Sequence, residues 1–203
     1  MASRIDEIMA DRRKKMEGLT ALGIELFPAR SQKDIANGEV VNNFAKYEGK
    51  SFNLTGRIMA WREHGKLIFG QILDQSGKIQ LFIRGDELEP TNKTKQTIGF
   101  GDLHLLDIGD FVQVFGEIVK TKTGEISVQV RQIKLLTKSL RPLPEKWVGL
   151  KDVETAFRKR YLDFIVNRDK VERFVRKSKF WEANLKFMKD HGFIEVETPV
   201  LET

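Results

Sequence analysis

Along residues 4–23 the apolar side chains Ile5, Ile8, Met9, Met16, Leu19 and Leu22 recur three and four positions apart. That spacing predicts an amphipathic helix, opened by Ser3 or Asp6 and stopped by Gly23. The opposite face carries Arg12, Arg13, Lys14 and Lys15. From about residue 51 the period changes to two. Phe52, Leu54, Ile58 and Ala60 alternate with polar or small residues, and Gly56 predicts a bend or bulge in that strand. Ile79, Leu81 and Ile83 alternate after the turn signal Asp74-Gln75-Ser76-Gly77; Val112, Val114 and Ile118 follow, then Ile126, Val128 and Val130. Lys120-Thr121-Lys122-Thr123-Gly124 joins the last two strands as a hairpin with glycine at the tight position.

Residues 85–109 lie between the third and fourth strands, with room for a short helix. Three strands, a helix and two strands is the order of an OB-fold, a five-stranded Greek-key barrel. Residues 138–150, with Pro142, Pro144 and Gly149, show no period and read as a linker. Beyond it, Lys151 to Val166 is expected to form a charged helix. Arg168 to His191 forms another, with Val171, Phe174, Val175, Trp181, Leu185 and Met188 along one stripe. Gly192 ends that helix and Phe193-Ile194-Glu195-Val196 begins a strand. The predicted architecture is mostly β with flanking helices: a helical extension over 1–48, a barrel over 49–137, the linker, and the opening helices and strand of a further domain over 151–203.

Charge and composition narrow the chemistry. Lys and Arg number 35 against 29 Asp and Glu, a net charge of +6, which favours acidic partners and nucleic acid first. The absence of cysteine excludes disulfides, thiol nucleophiles and thiolate zinc sites. The longest unbroken apolar run, Ile58–Trp61, is far too short to span a bilayer. No secretory apolar segment follows Met1, so the cytoplasm is the expected location and no membrane partner is expected. His64, His104 and His191 are too far apart to suggest a metal pair, and no metal site is expected. Gly56 to Lys66 lacks the phosphate-loop spacing and has Leu67 where a Ser or Thr would meet magnesium. No complete catalytic constellation is visible.

A binding face is easier to find. If Ile79, Leu81 and Ile83 point into the barrel, then Gln80, Phe82 and Arg84 point the other way. In the last strand Glu125, Ser127, Gln129 and Arg131 oppose Ile126, Val128 and Val130. Such a face suits single-stranded nucleic acid, with a ring stacking on a base and Gln, Glu and Arg reading its edge. Phe69 and Phe82 could equally be core residues. The basic run of the first helix could equally be a solvated face.

Particular strings then resemble a known family. Arg57-Ile-Met-Ala-Trp-Arg62, Gly65-Lys-Leu-Ile-Phe69 and Asp74-Gln-Ser-Gly-Lys-Ile-Gln80 resemble the anticodon-binding barrel of class II aspartyl, asparaginyl and lysyl tRNA synthetases. Leu136 to Trp147, Gly149 to Thr155 and Arg160-Tyr-Leu-Asp163 look like lysyl-tRNA synthetases in particular, and Gly192 to Pro199 is similar to class II motif 1.

The resemblance implies that Phe69 stacks on the central anticodon base, a uridine in lysine tRNA. Arg62, Gln80 and Glu125 would hydrogen-bond that base or its neighbours. Arg12, Arg13, Lys14 and Lys15 would lean on the tRNA backbone. Trp181, Gly192, Phe193 and Pro199 would belong to the homodimer interface of full-length members. ATP and magnesium are implied for those members, but motifs 2 and 3 do not map onto this sequence. The chain as given is therefore expected to bind the anticodon arm and to catalyse neither lysine activation nor transfer. Around Pro28 it departs from the family, with Ala29-Arg-Ser-Gln-Lys33 in place of an aromatic-rich stretch. A freestanding, non-catalytic tRNA-binding module and a dimerisation piece remain as alternatives. Trp181, Phe193, Val196 and Leu201, without a catalytic sheet to cover them, are expected to form an exposed apolar patch.

Overall fold

The computed structural model describes residues 4–144 and 153–199. Five strands close into a barrel in the order β1-β2-β3-β5-β4: β1 Ser51–His64, β2 Leu67–Leu73, β3 Lys78–Arg84, β4 Phe111–Lys120 and β5 Ile126–Thr137. All neighbours are antiparallel except β3 and β5, which close the barrel in parallel through Gln80↔Ser127 and Phe82↔Gln129. The OB-fold order is thus realised. The space between β3 and β4 holds a short 3-10 helix, Phe100–Leu105, and no longer helix.

Alternation places the core. Ile79, Leu81 and Ile83 of β3, Val112, Val114 and Ile118 of β4, and Val128 and Val130 of β5 are all buried in one cluster. The β1 expectation holds at Leu54 and Ile58 but not at the bulge. Gly56 stays in register opposite Val112, and the register slips between Ile58 and Ala60. Glycine is needed at position 56 for closeness, because a Cβ there would lie 2.9 Å from the Leu73 carbonyl oxygen. The slip turns Trp61 inward over Gly70 and leaves Arg62 on the outer face opposite Phe69.

Helix α1 (Arg4–Ala21) forms as expected, with Asp6 and Glu7 in its first turn, where carboxylates favour the helix dipole. Ser3 lies outside the described residues. Gly23, at φ +75°, takes the left-handed conformation that ends the helix. Leu19 and Ile24 join the barrel's core. Two short helices, α2 (Asn37–Asn42) and α3 (Phe44–Tyr47), lead into β1.

A buried ionic network holds α1 in place. Lys138 Nζ, fully buried, donates to Asp110 at 2.7 Å, to Asp107 at 2.5 Å and to the Leu105 carbonyl at 2.8 Å. Lys15 reaches Asp107 from α1 at 2.8 Å. Burial alone would raise the Asp107 pKa, but the Lys138 and Lys15 ammonium groups hold it below the ordinary carboxylate value. Residues 138–143, which the sequence reads as the start of a linker, belong with this first compact unit through Leu143. Residues 145–150 of the expected linker lie outside the described residues.

At the β2–β3 turn, Asp74 accepts from the Ser76 and Gly77 amides, the Asn37 amide and Lys33 Nζ. Burial pushes its pKa up, but these donors outweigh burial and bring it to about 2.

The second compact unit contains α4 (Val153–Arg158), α5 (Arg160–Val166) and α6 (Arg168–Asp190). The single helix expected over 151–166 is broken at Lys159, whose φ −115° and ψ 47° are not helical. Asp163 fastens the α5–α6 junction by accepting from Asn167 Nδ2 at 2.6 Å and Lys170 Nζ at 2.8 Å. Lys170 first, then Asn167, hold the Asp163 carboxyl below its usual pKa. Gly192 ends α6, but the strand expected at 193–196 is absent. A strand needs a neighbour for its backbone groups, and the described residues offer none there. Phe174, Val175, Trp181, Leu185 and Met188 of the stripe are exposed, as are Phe193 and Val196. Leu201 lies outside the described residues.

Candidate nucleic-acid interface

The outer face of the sheet carries a transverse row of side chains, each opposite the next. Arg62 of β1 pairs with Phe69 of β2, Phe69 with Phe82 of β3, and Phe82 with Gln129 of β5. One step along, Gln71 pairs with Gln80 and Gln80 with Ser127. Because Ile68 and Ile72 are buried, Phe69 must project outward, which the sequence of β2 could not decide. Phe69, Gln80 and Phe82 are half-buried, whereas Arg62 is exposed. Glu125, exposed and two residues before Ser127, continues the Gln80–Ser127 side of the face toward the β4–β5 hairpin. Ser127 itself is fully buried, its hydroxyl turned to the Glu125 carbonyl.

The two phenylalanine rings define the site's geometry. Their centroids are 5.3 Å apart and their planes differ by 22°. Rings this close cannot lie flat and side by side without clashing, so they stand face to face in an offset stack. Each therefore keeps one face turned away from the other ring. The His64 ring sits edge-on to Phe69 at 6.4 Å. An open cleft of about 930 Å³ lies over Phe69 and Phe82 and is also lined by the Lys120–Thr123 hairpin, so the hairpin borders the aromatic pair. Lys66 and Arg84 stand at its edge, and Arg84 is already engaged by Asp86 at 2.8 Å.

The four basic residues of α1 do not share one environment. Arg12 is buried and donates to the carbonyls of Ser139 (2.9 Å), Arg141 (3.1 Å) and Ile108 (2.9 Å). Its guanidinium is occupied inside the fold, and burial was not legible in the local sequence because all three acceptors are distant along the chain. Lys15 is half-buried against Asp107. Arg13 and Lys14 are exposed and face outward. Among the described residues no group of three or more His, Cys, Asp or Glu is arranged to hold a metal ion. None of the described helices is long and apolar enough to cross a membrane.

The fold agrees with comparisons to known proteins. Residues 52–136 match the family of the OB-fold nucleic acid binding domain, and residues 152–203 match the class II tRNA synthetases of the D, K and N group. The class is thus that of the class II aminoacyl-tRNA synthetases with an N-terminal barrel. Within it, the chain is 40% identical over 200 residues to the lysine–tRNA ligase of Thermoanaerobacter sp. (strain X514). It is 42% identical over 198 residues to that of Syntrophomonas wolfei subsp. wolfei; both alignments cover 98% of the chain. The lysine–tRNA ligase of Moorella thermoacetica is 42% identical over 197 residues. The chain belongs to the lysyl-tRNA synthetase family and spans 39% of the length of these relatives.

Proposed function

We propose that the barrel binds the anticodon arm of lysine tRNA, with the central uridine stacked on the free face of Phe69. The observation that carries this reading is the row on the outer sheet face. Arg62 stands opposite Phe69 in register, so a base stacked on Phe69 has a cation and hydrogen-bond donor on the neighbouring strand. Gln80, one step away, offers both a donor and an acceptor, and Glu125 an acceptor. Arg13 and Lys14 are placed to meet phosphates; Arg12 serves by seating α1, and Lys15 by its pair with Asp107.

For the complete family member we propose the ATP-dependent joining of lysine to this tRNA, in the cytoplasm and as a homodimer. The residues described here supply tRNA contacts to that reaction. Motifs 2 and 3, to which the resemblance assigns ATP and magnesium, do not map onto this chain. Trp181, Gly192, Phe193 and Pro199 are the proposed dimer contacts, supported by the exposed apolar stripe of α6.

The test is binding of the 203-residue chain to a lysine anticodon stem-loop and to the same loop with central cytidine, across a salt series. The uridine loop is expected to bind more tightly by ~1–3 kcal/mol, with Phe69→Ala removing a similar amount. Equal binding of both loops at every salt would overturn the reading, since a shared salt slope reports phosphate contacts alone.

A further inference from the structure

We infer that Gln96 is a positioning residue for RNA: it fixes the C-terminal end of α1 and so sets where Arg13 and Lys14 meet phosphates, a role that rests on the tRNA reading above. Among the described residues Gln96 is the one non-glycine residue at positive φ, +57°. A Cβ makes that left-handed conformation costly, and glycine would adopt it freely. The side chain must therefore supply what offsets the cost. Its amide is fully used. Oε1 accepts from the Glu25 amide at 2.6 Å, and Nε2 donates to the Gly23 carbonyl at 3.0 Å and to the Lys93 carbonyl. One acceptor and two donors on a single planar group is a set that neither Glu nor Lys could provide.

The loop that presents Gln96 is a bracket built from the barrel. Asn92 and Thr97 form an isolated bridge, and the Asn92 side chain accepts from the Thr94 and Lys95 amides, which shapes the turn between them. Thr97 and Ile98 are buried, and the Ile98 amide donates to the Ile133 carbonyl of β5 at 2.9 Å. The bracket meets α1 closely, since a Cβ at Gly23 would lie 3.0 Å from the Lys93 Cβ. Helix α1 is thus pinned at two places: by Arg12 and Lys15 in its first half, and by Gly23 and Glu25 just past its end. Arg12 and Gly23 are about 16 Å apart along the helix axis. Leu19, buried between them, adds packing, but packing is non-directional. Two sets of directional bonds fix both the tilt and the rotation of the helix, and with them the backbone that carries Arg13 and Lys14. Cations on a backbone already held in place lose less freedom when a phosphate arrives.

The experiment measures binding of the full chain to a lysine tRNA transcript across a salt series, with urea unfolding of every variant. Gln96→Met keeps the length and neutrality of the side chain and removes its hydrogen bonds. It is expected to weaken binding about 3- to 10-fold, the range of a lost hydrogen bond, and to lower the salt slope. The preference for uridine over cytidine at the central anticodon position should not change. Gln96→Gly relieves the backbone but has no amide, so it should be at least as stable as Gln96→Met and bind no better. Recovery of binding with Gln96→Gly would show that stability alone is at issue and overturn the inference. In an Arg13→Ser/Lys14→Ser background Gln96→Met should have no further effect, because the cations it positions are gone. An equal further loss in that background overturns the inference as well. If Arg13→Ser/Lys14→Ser itself leaves affinity and salt slope unchanged, the phosphate contacts of α1 fail and the role of Gln96 fails with them. If that pair weakens binding and Gln96→Met does not, the tRNA reading stands and the role of Gln96 alone falls.

Discussion

The barrel unit and the helical unit use similar residues to opposite effect. In the barrel, Lys138 and Asp110 are enclosed, and Leu81, Val114 and Val130 have no exposed surface. In α6, Arg176 and Glu172 form an ion pair in full view of solvent, and Trp181 is 60% exposed. A sheet closed upon itself makes its own interior, so every inward residue of every strand is covered. A lone amphipathic helix makes only half an interior and needs a second surface. The difference predicts that the same kind of substitution has unequal consequences in the two units.

The largest contrast concerns charge. Lys138→Met removes the ammonium that neutralises buried Asp110, and is expected to destabilise the barrel by about 3–5 kcal/mol in urea unfolding. Glu172→Ala, which breaks the exposed pair in α6, should change stability by less than about 0.5 kcal/mol. Equal effects at the two sites would erase the distinction.

Acid should destabilise the barrel. The Asp74 pKa is about 2 when folded, below that of the unfolded chain. As pH falls, the unfolded chain takes up its proton first, and stability is lost progressively between about pH 4 and pH 2. Above that window the contribution is complete, on the order of 2 kcal/mol. Asp107 is displaced in the same direction and adds to the trend. Denaturant midpoints compared at pH 7 and pH 2 should show the drop, and Asp74→Asn should flatten it; a midpoint independent of pH would contradict the assignment.

The smallest effect is expected at Trp181. Trp181→Gln should alter the stability of this chain by no more than about 0.5 kcal/mol, because the ring is not enclosed. Hydrogen exchange sharpens the same point: amides of β3 and β5 should exchange slowly and those of α6 quickly. Slow exchange throughout α6 in a clean monomer would show that its apolar face is covered after all.

Much of this was legible in the chain. Strict alternation in β3 and in the centre of β5 gave both the strands and their inner faces. In β2 both faces are apolar, Leu67 and Phe69 on one side, Ile68 and Ile72 on the other, so periodicity could not choose; the sheet decides through burial. The slip at Met59 was hidden within the apolar run Ile58–Trp61, while Gly56 drew attention to the wrong position. Arg12 looked like its neighbours Arg13 and Lys14 because the carbonyls that bury it come from other parts of the chain. The missing strand at 193–196 is the same lesson in reverse: its pattern is extended, but pairing is a property of two segments.

The seat of Arg12 also bears on the order in which the protein takes shape. Two of its three acceptors lie 127 and 129 positions further along the chain. During synthesis α1 emerges early, yet its guanidinium finds those carbonyls only after β5 has been made. The entropic toll of so long a loop grows only logarithmically with its length, so timing rather than distance governs the event. Helix α1 is thus made before the barrel that seats it, and its fastening signals that the barrel is complete.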